Sequence, residues 1–317
     1  MTYTALSWKH LRDQQLYFDN DYALKRLSEG IDLYNEGIKP DKDLNTLTTY
    51  HCYWYGEIGR KQVFSLKTFL CTQDLHRCKV ILWLDIFDGY ENYILNPYLQ
   101  EILPFIEVRL YDPFDEVKNT PWADNVDLAI QDTSYTGLVK RADAFRYLTL
   151  YNYGGVYFDL DVMFLKDLSD LLNIEFCYAW ENQPYANSAV FNLFRCSKIA
   201  TYLMAKCIEN LIVSPWDVFK YEDLKLSNLY VLPCAFFDPI WQGLGNGKYP
   251  ISNFHDFFRP FDTDYKNSLG IQSYKAFFPG CYCYHWHNEW KTPEFENSFY
   301  GFFEKQFNEI FKFRFQA

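Results

Sequence analysis

No stretch of this 317-residue chain approaches the roughly 18 consecutive apolar residues a membrane-spanning helix needs, so none is expected. The opening residues, MTYTALSWKHLRDQ, lack the apolar core of a secretory signal, and no Asn-x-Ser/Thr acceptor site occurs, so nothing points to secretion. Cysteine pairing signals are missing as well. The nine cysteines are odd in number and make no C-x-x-C pair, which argues for reduced thiols in a cytosol-like compartment. Positive charge is scarce: 30 Lys and Arg stand against 41 Asp and Glu, giving a formal net charge of −11. Such a balance speaks against nucleic acid or an anionic membrane surface as the main partner.

Hydrophobic residues make up 49% of the chain and charged residues 22%, so it is globular rather than disordered. Its length suits one large α/β domain or two small ones. Aromatics reach 21%, with 27 Tyr and 29 Phe. That surplus fits carbohydrate sites, where rings stack on sugar faces, and equally fits core filling under a biased composition.

The chemistry concentrates in Lys140–Lys166, KRADAFRYLTLYNYGGVYFDLDVMFLK. Leu138, Ala142, Phe145, Thr149 and Asn152 share one helical stripe, widened by Leu148 and Leu150. The spacing predicts a helix of about four turns, closed by Gly154 and Gly155. The period then changes to two. Val156, Phe158, Leu160, Val162 and Phe164 alternate with Tyr157, Asp159, Asp161 and Met163, which predicts one strand with the tyrosine and both aspartates on the same face. Adjacent carboxylates repel and stay ionised only beside a cation or hydrogen-bond donors. A D-x-D at a strand end is a common holder of a divalent ion that also grips a diphosphate. Asp143 and Arg146, three apart, share a helix face and can reach the same cleft, or simply form a surface ion pair.

The composite A-D-x-x-R-Y…Y-x-x-G-G-V-Y-x-D-x-D in these residues closely resembles the DxD sugar-binding region of glycosyltransferase family 32. It is also similar to the cores of the α1,4-glycosyltransferases and of the clostridial glucosylating toxins. The resemblance implies an α/β GT-A fold, with a Rossmann-like, mostly parallel central sheet flanked by helices. It implies transfer of a hexose, with retention, from a nucleotide sugar to a glycan or glycoconjugate acceptor. Its domain reading is an N-terminal helical extension over 1–45, a GT-A domain over 46–293 and a C-terminal helix over 294–317 packed on it. Eukaryotic Golgi relatives carry a membrane anchor, and none is read here. Bacterial or viral use in the cytoplasm is therefore expected, with peripheral membrane contact left open.

In chain order, Tyr22–Ile38 has a helical stripe. Leu47–Gly56, LTTYHCYWYG, is β-rich and resembles the family's I-H-x-I-W-x-G first strand, whose aromatic stacks on the base. Trp54 matches that tryptophan, or is a core aromatic; Tyr53 and Tyr55 lie beside it, and His51 reads as structural. A helix over Gln62–Leu70, a buried strand over Lys79–Asp85 and a third strand over Ile106–Tyr111 begin a parallel sheet. Asp85 ends its strand near where ligands bind in such sheets, or caps the next turn.

Further on, Glu181–Asn192 matches a segment that lines the acceptor side in the family, with Asn187 the best match and Glu181 a weaker one. Tyr230–Trp241, YVLPCAFFDPIW, resembles the segment before the closing loop. Tyr282–Trp290, YCYHWHNEW, resembles the family's H-H-W frame through His285, Trp286 and Trp290. It departs from that frame at Glu289, where serine is usual, and at His287, where a small residue is usual.

By the resemblance, Asp161 binds the metal directly. Asp159 contacts the ribose, or the metal through water. His285 completes the metal shell, with His287 a weaker metal candidate. Asp143 and Arg146 bind donor-sugar hydroxyls and count, with Asp159 and Asp161, as the catalytic set. Trp54, Tyr53 and Tyr157 meet the nucleotide, with uridine as its base. Asn187, Glu181, Trp286 and Trp290 are the acceptor candidates. An imidazole among carboxylates favours Mn²⁺ over Mg²⁺. Zinc, which His285 and His287 with Cys283 nearby could instead suggest, is set aside because it wants four tetrahedral ligands.

Two rival readings remain. FDLDV resembles the F-D-x-D-G-T start of haloacid-dehalogenase phosphatases, but lies mid-chain with Val162-Met163 in place of Gly-Thr. A carbohydrate- or nucleotide-binding protein on the same fold, without turnover, is the other.

Overall fold

The computed structural model describes residues 47–316, apart from 89–92, 94, 132–133, 181–182, 221–223, 225–228, 233, 243–250, 252 and 279–280. The expected N-terminal extension and Glu181 lie outside the described residues. A central sheet is built from β1 (Thr48–Trp54), β2 (Cys78–Asp85), β3 (Glu107–Tyr111), β4 (Gly155–Phe158), β6 (Phe176–Ala179), β7 (Ala186–Leu193) and β8 (Tyr230–Leu232). Its order is β3-β2-β1-β4-β7-β6-β8. β7 runs antiparallel to both neighbours, and every other pairing is parallel. A separate two-stranded ladder joins β5 (Val162–Phe164) to β9 (Cys283–His285). The expected mixed α/β, mostly parallel class is therefore what the chain adopts.

Alternation along the strands feeds both faces of the sheet. Val156 and Phe158 enter one apolar cluster with Val63, Leu66 and Phe69 of helix α1 (Arg60–Thr72). Tyr157 enters another with Phe145 and Leu148 of helix α2 (Tyr135–Tyr153) and Leu203 of helix α3 (Lys198–Asn210). The result is a helix–sheet–helix sandwich. A third cluster forms under helix α4 (Phe299–Phe315), whose Phe303 and Phe307 pack against Phe64 of α1 and Phe257. That helix begins at Phe299, where Ser298 caps it, and not at Glu294.

Helix α2 runs 19 residues, from a Ser134 cap to Gly154. Every residue from Asp143 to Leu150 is buried, so the helix has no solvent face over that span and the expected stripe was too narrow. Its last turn meets β4 through two glycines at φ +66 and +100. A Cβ on Gly155 would stand 2.1 Å from the Thr49 carbonyl oxygen of β1, so the tight helix-to-strand passage has room only for glycine. His51 anchors the same corner: Trp83 Nε1 donates to its Nδ1 at 3.1 Å, and its Nε2 meets the Gly154 oxygen at 3.0 Å. Burial pushes the imidazole down to about 4, so it is a neutral strut, as expected of a structural histidine.

Gly155→Ala should destabilise the fold by about 3 kcal/mol or more, combining backbone strain with a clash. Urea unfolding measures this, and a loss under about 1 kcal/mol would mean that β1 and β4 part easily.

Candidate active site

The continuous strand expected over residues 156–164 is broken at the motif. β4 stops at Phe158, and Asp159 N–H donates to the Ala189 carbonyl of β7 at 2.8 Å. Val162 N–H then returns to the Asp159 carbonyl at 3.2 Å, closing a turn over Asp159-Leu160-Asp161. From Val162 on, the chain pairs with β9 instead. The period-two face argument therefore fails at the motif, and the carboxylates converge through the turn.

The β5–β9 register carries His285 into the same place. Val162 pairs with His285, and Trp286 N–H donates to the Asp161 carbonyl at 3.0 Å. His285 Nε2 lies 3.2 Å from Asp161 Oδ2, which also accepts the Asn288 N–H at 2.7 Å. Asp159 Oδ1 accepts from the Tyr157 hydroxyl at 2.5 Å and from Arg146 at 3.3 Å. Asp159, Asp161 and His285 each offer one ligand atom within 4.8 Å of the others.

The charges in this cluster pull against one another. Burial raises Asp159, Arg146 pulls it down and Asp161 pushes it up again. Burial also opposes ionisation of Asp161, yet His285, the Asn288 N–H and His287 together outweigh it and hold the carboxyl low. Burial works against a charged His285, but Asp161 and Asp238 raise it to about 10. The imidazolium thus supplies positive charge beside the Asp161 carboxylate and within reach of Asp159, as a divalent cation would. Two carboxylate oxygens and an imidazole fit Mn²⁺ or Mg²⁺, and loading the site would release the histidine proton.

Asp143 and Arg146 face this cluster from α2. Arg146 sends Nη1 to Ser188 Oγ at 2.8 Å and Nη2 to Asp143 and Asp159 at 3.2 and 3.3 Å, with Tyr157 under its plane. Asp143 is 2% exposed, and its Oδ2 has no hydrogen-bond partner among the described residues. Burial pushes this carboxyl up to about 7, against the pull of Arg146. An unused acceptor atom beside a saturated guanidinium is what a sugar hydroxyl would complete.

Other expected contacts fall differently. Tyr157 is 1% exposed and gives its hydroxyl to Asp159, so it holds the carboxylate from within. Tyr53 is buried against Phe145 and Tyr111, with its hydroxyl on Asp85 at 2.5 Å. Asp85 also accepts from the Phe87 N–H at 2.9 Å and pairs with Arg141 at 3.1 Å, so it caps the turn and anchors α2. Trp54 is half-buried and packs edge-on against Trp290 at 4.8 Å, which leaves an aromatic pair at the rim. Trp286 is fully buried among Phe64, Phe257 and Phe258, with no surface for an acceptor. Asn187 is buried and turns its Oδ1 back to the Ala189 N–H at 2.8 Å, fixing the strand that receives Asp159. The segment after β9 is clasped by Lys61 of α1, whose ammonium meets the carbonyls of Glu289, Trp290 and Thr292.

Sequence reasoning missed Asp238, Tyr178 and Ser188. Asp238 is fully buried at 2.6 Å from His287 Nε2 and 3.6 Å from His285 Nδ1. The ligand atoms of Asp238, His285 and His287 likewise lie within 4.8 Å of one another. The signal for Asp238 was present as a lone carboxylate in the apolar run YVLPCAFFDPIW.

A D-x-D turn at the carboxyl end of the central strand of such a sheet is the GT-A arrangement expected from the sequence. Residues 65–178 match the family described as glycosyltransferase sugar-binding region containing DXD motif, which bears out the resemblance to a DxD sugar-binding region read from Lys140–Lys166. Inositol phosphoceramide mannosyltransferase 3 of Schizosaccharomyces pombe is 27% identical over 212 residues, which cover 66% of this chain and 49% of that protein. The chain thus spans about half the length of this curated relative. Among solved structures, PaToxG glycosyltransferase is 15% identical with a TM-score of 0.47, over 67% of this chain and 79% of its own. Mouse xyloside xylosyltransferase 1 is 13% identical with a TM-score of 0.43, over 78% and 99%. Among the described residues, no helix is long and apolar enough to cross a membrane.

Asp143 generates a stability prediction. Its carboxyl ionises at about 4 when unfolded and about 7 when folded, so its contribution to stability falls as pH climbs through that window. Asp143→Asn should gain about 1–3 kcal/mol on the parent between pH 5 and pH 8, read from melts at both values. An unchanged difference between the two would show that Arg146 fully offsets the burial.

Proposed function

We propose that the chain is a metal-dependent, retaining glycosyltransferase that moves a hexose from a nucleotide sugar, with UDP as the carrier, to a hydroxyl of a glycan or glycoconjugate. The observation that carries this reading is the convergence of Asp159, Asp161 and His285 at the strand ends, inside a chain that matches the DXD sugar-binding region. Asp161 and His285 Nε2 would hold the ion, with Asp159 beside them or reaching it through water. When bound there, a divalent ion supplies Lewis-acid neutralisation of the diphosphate charge that grows as the sugar departs. Asp143 Oδ2 would accept a hydroxyl of the donor sugar. Arg146 keeps Asp143 and Asp159 in place and lends a positive field to the departing phosphate side. Trp54, braced by Trp290, offers a ring face to the base. Fixed by buried contacts, these groups contribute chiefly through positioning.

Retention rests on the resemblance, and no side chain is named as nucleophile. Uridine rests on Trp54. The mannosyltransferase relative makes GDP-mannose the donor to test beside the UDP-sugars, and a lipid-linked inositol phosphate an acceptor to test beside glycans.

A panel of UDP- and GDP-sugars should yield one donor that is slowly hydrolysed with Mn²⁺ and not in EDTA. Asp161→Ala should lower that rate by roughly 100-fold or more. Silence with every donor, with no metal-dependent thermal shift by any nucleotide, would overturn the reading.

A further inference from the structure

His285 presents two ring nitrogens to two different surroundings. Its Nε2 faces the D-x-D turn, 3.2 Å from Asp161. Its Nδ1 faces inward, 3.2 Å from the Tyr178 hydroxyl and 3.6 Å from Asp238 Oδ2. A neutral imidazole binds a metal through one nitrogen only when the other carries the proton. The group that accepts that proton selects the tautomer and aims the ring. Of the two groups facing Nδ1, the Tyr178 hydroxyl is nearer and can donate or accept, whereas the Asp238 carboxylate, in ion-pair range at 3.6 Å, can only accept and so favours a proton on Nδ1. Asp238 is fully buried, and the same Oδ2 that lies 3.6 Å from His285 Nδ1 accepts from Trp241 Nε1 at 3.0 Å and meets His287 Nε2 at 2.6 Å. Its Oδ1 has no partner among the described residues.

His287 fits the role of anchor. Its backbone sits at φ +50, an unusual conformation for a non-glycine residue that surrounding contacts must enforce. In that conformation its ring stacks on His285 at 3.8 Å and its Nε2 is spent on Asp238.

We propose that Asp238, held by His287 and Trp241, is the positioning residue that keeps the proton of His285 on Nδ1 and directs its Nε2 lone pair at the D-x-D turn. His287 then belongs to the support of the site and not to the metal shell. This inference rests on the reading of Asp159, Asp161 and His285 as a divalent-ion site, and adds a residue outside the D-x-D motif to it.

The test is Mn²⁺ affinity, read by electron paramagnetic resonance on the full chain without donor or acceptor. Asp238→Asn removes the charge at nearly constant shape and should weaken Mn²⁺ binding by about 10- to 100-fold. In a His285→Ala background the same change should add nothing, because the effect passes through the imidazole. A purely structural role would weaken binding equally in both backgrounds and would overturn the proposal. So would a parental affinity in Asp238→Asn, or a larger loss in His287→Gln than in Asp238→Asn, which would make His287 a ligand. A parent that binds no Mn²⁺ fails the underlying reading too, whereas a parent that binds normally while Asp238→Asn is unaffected fails this inference alone. If Asp238→Asn does not fold, nitrogen-15 spectra of the histidine-labelled parent with diamagnetic Mg²⁺ decide the matter. A His285 proton on Nδ1 supports the proposal, and one on Nε2 overturns it.

Discussion

The register of the β5–β9 ladder is the constraint on which the site depends. Two segments more than a hundred residues apart in sequence are fixed so that His285 stands opposite Val162, one residue past the D-x-D turn. A slip of one residue would turn His285 to the other face and bring Tyr284 or Trp286 into its place. Pairing beyond the named strands guards against that slip: Leu165 N–H meets the Tyr282 carbonyl at one end, and Trp286 N–H meets the Asp161 carbonyl at the other. Asn288 N–H then closes onto the Asp161 side chain, so backbone and carboxylate are secured by the same short segment. Lys61 holds the chain just beyond, and the buried aromatic floor of Trp286, Phe257 and Phe258 supports it from below.

That framework collects charge that a stable interior would avoid. Asp143, Asp161 and Asp238 are all nearly or fully buried, with Asp159 partly so, and among the described residues in contact with them the opposing charges are Arg146 and the two histidines. Buried carboxylates cost stability unless they are paired or donated to. Asp143 and Asp238 each keep one oxygen without a partner among the described residues. Concentrated in one place, such unfinished groups mark a site kept ready for something outside the chain. A cation on the Asp161 side and hydroxyls on the Asp143 side would complete them together.

Much of this was legible in the sequence, and the exceptions have definite causes. The change of period from 3.6 to 2 located α2 and β4, and the glycine pair between them was readable because both positions require positive φ. The D-x-x-R spacing placed Asp143 and Arg146 on one face, where they meet. The break in the strand at Asp159 was not readable, since alternation persists through Phe164 while the hydrogen-bond partner changes from β7 to β9. Tyr53 and Tyr157 read as surfaces for a nucleotide, but a phenol beside a buried carboxylate is drawn inward to donate to it. Asp238 has no motif around it, and only the fold shows that it lies behind His285.

Anomalous diffraction from crystals soaked with Mn²⁺ and UDP tests the central claim most directly. The account predicts one strong manganese peak bounded by Asp159, Asp161 and His285 Nε2. A peak held instead by Asp238 and His287, or none near the D-x-D turn, would contradict it.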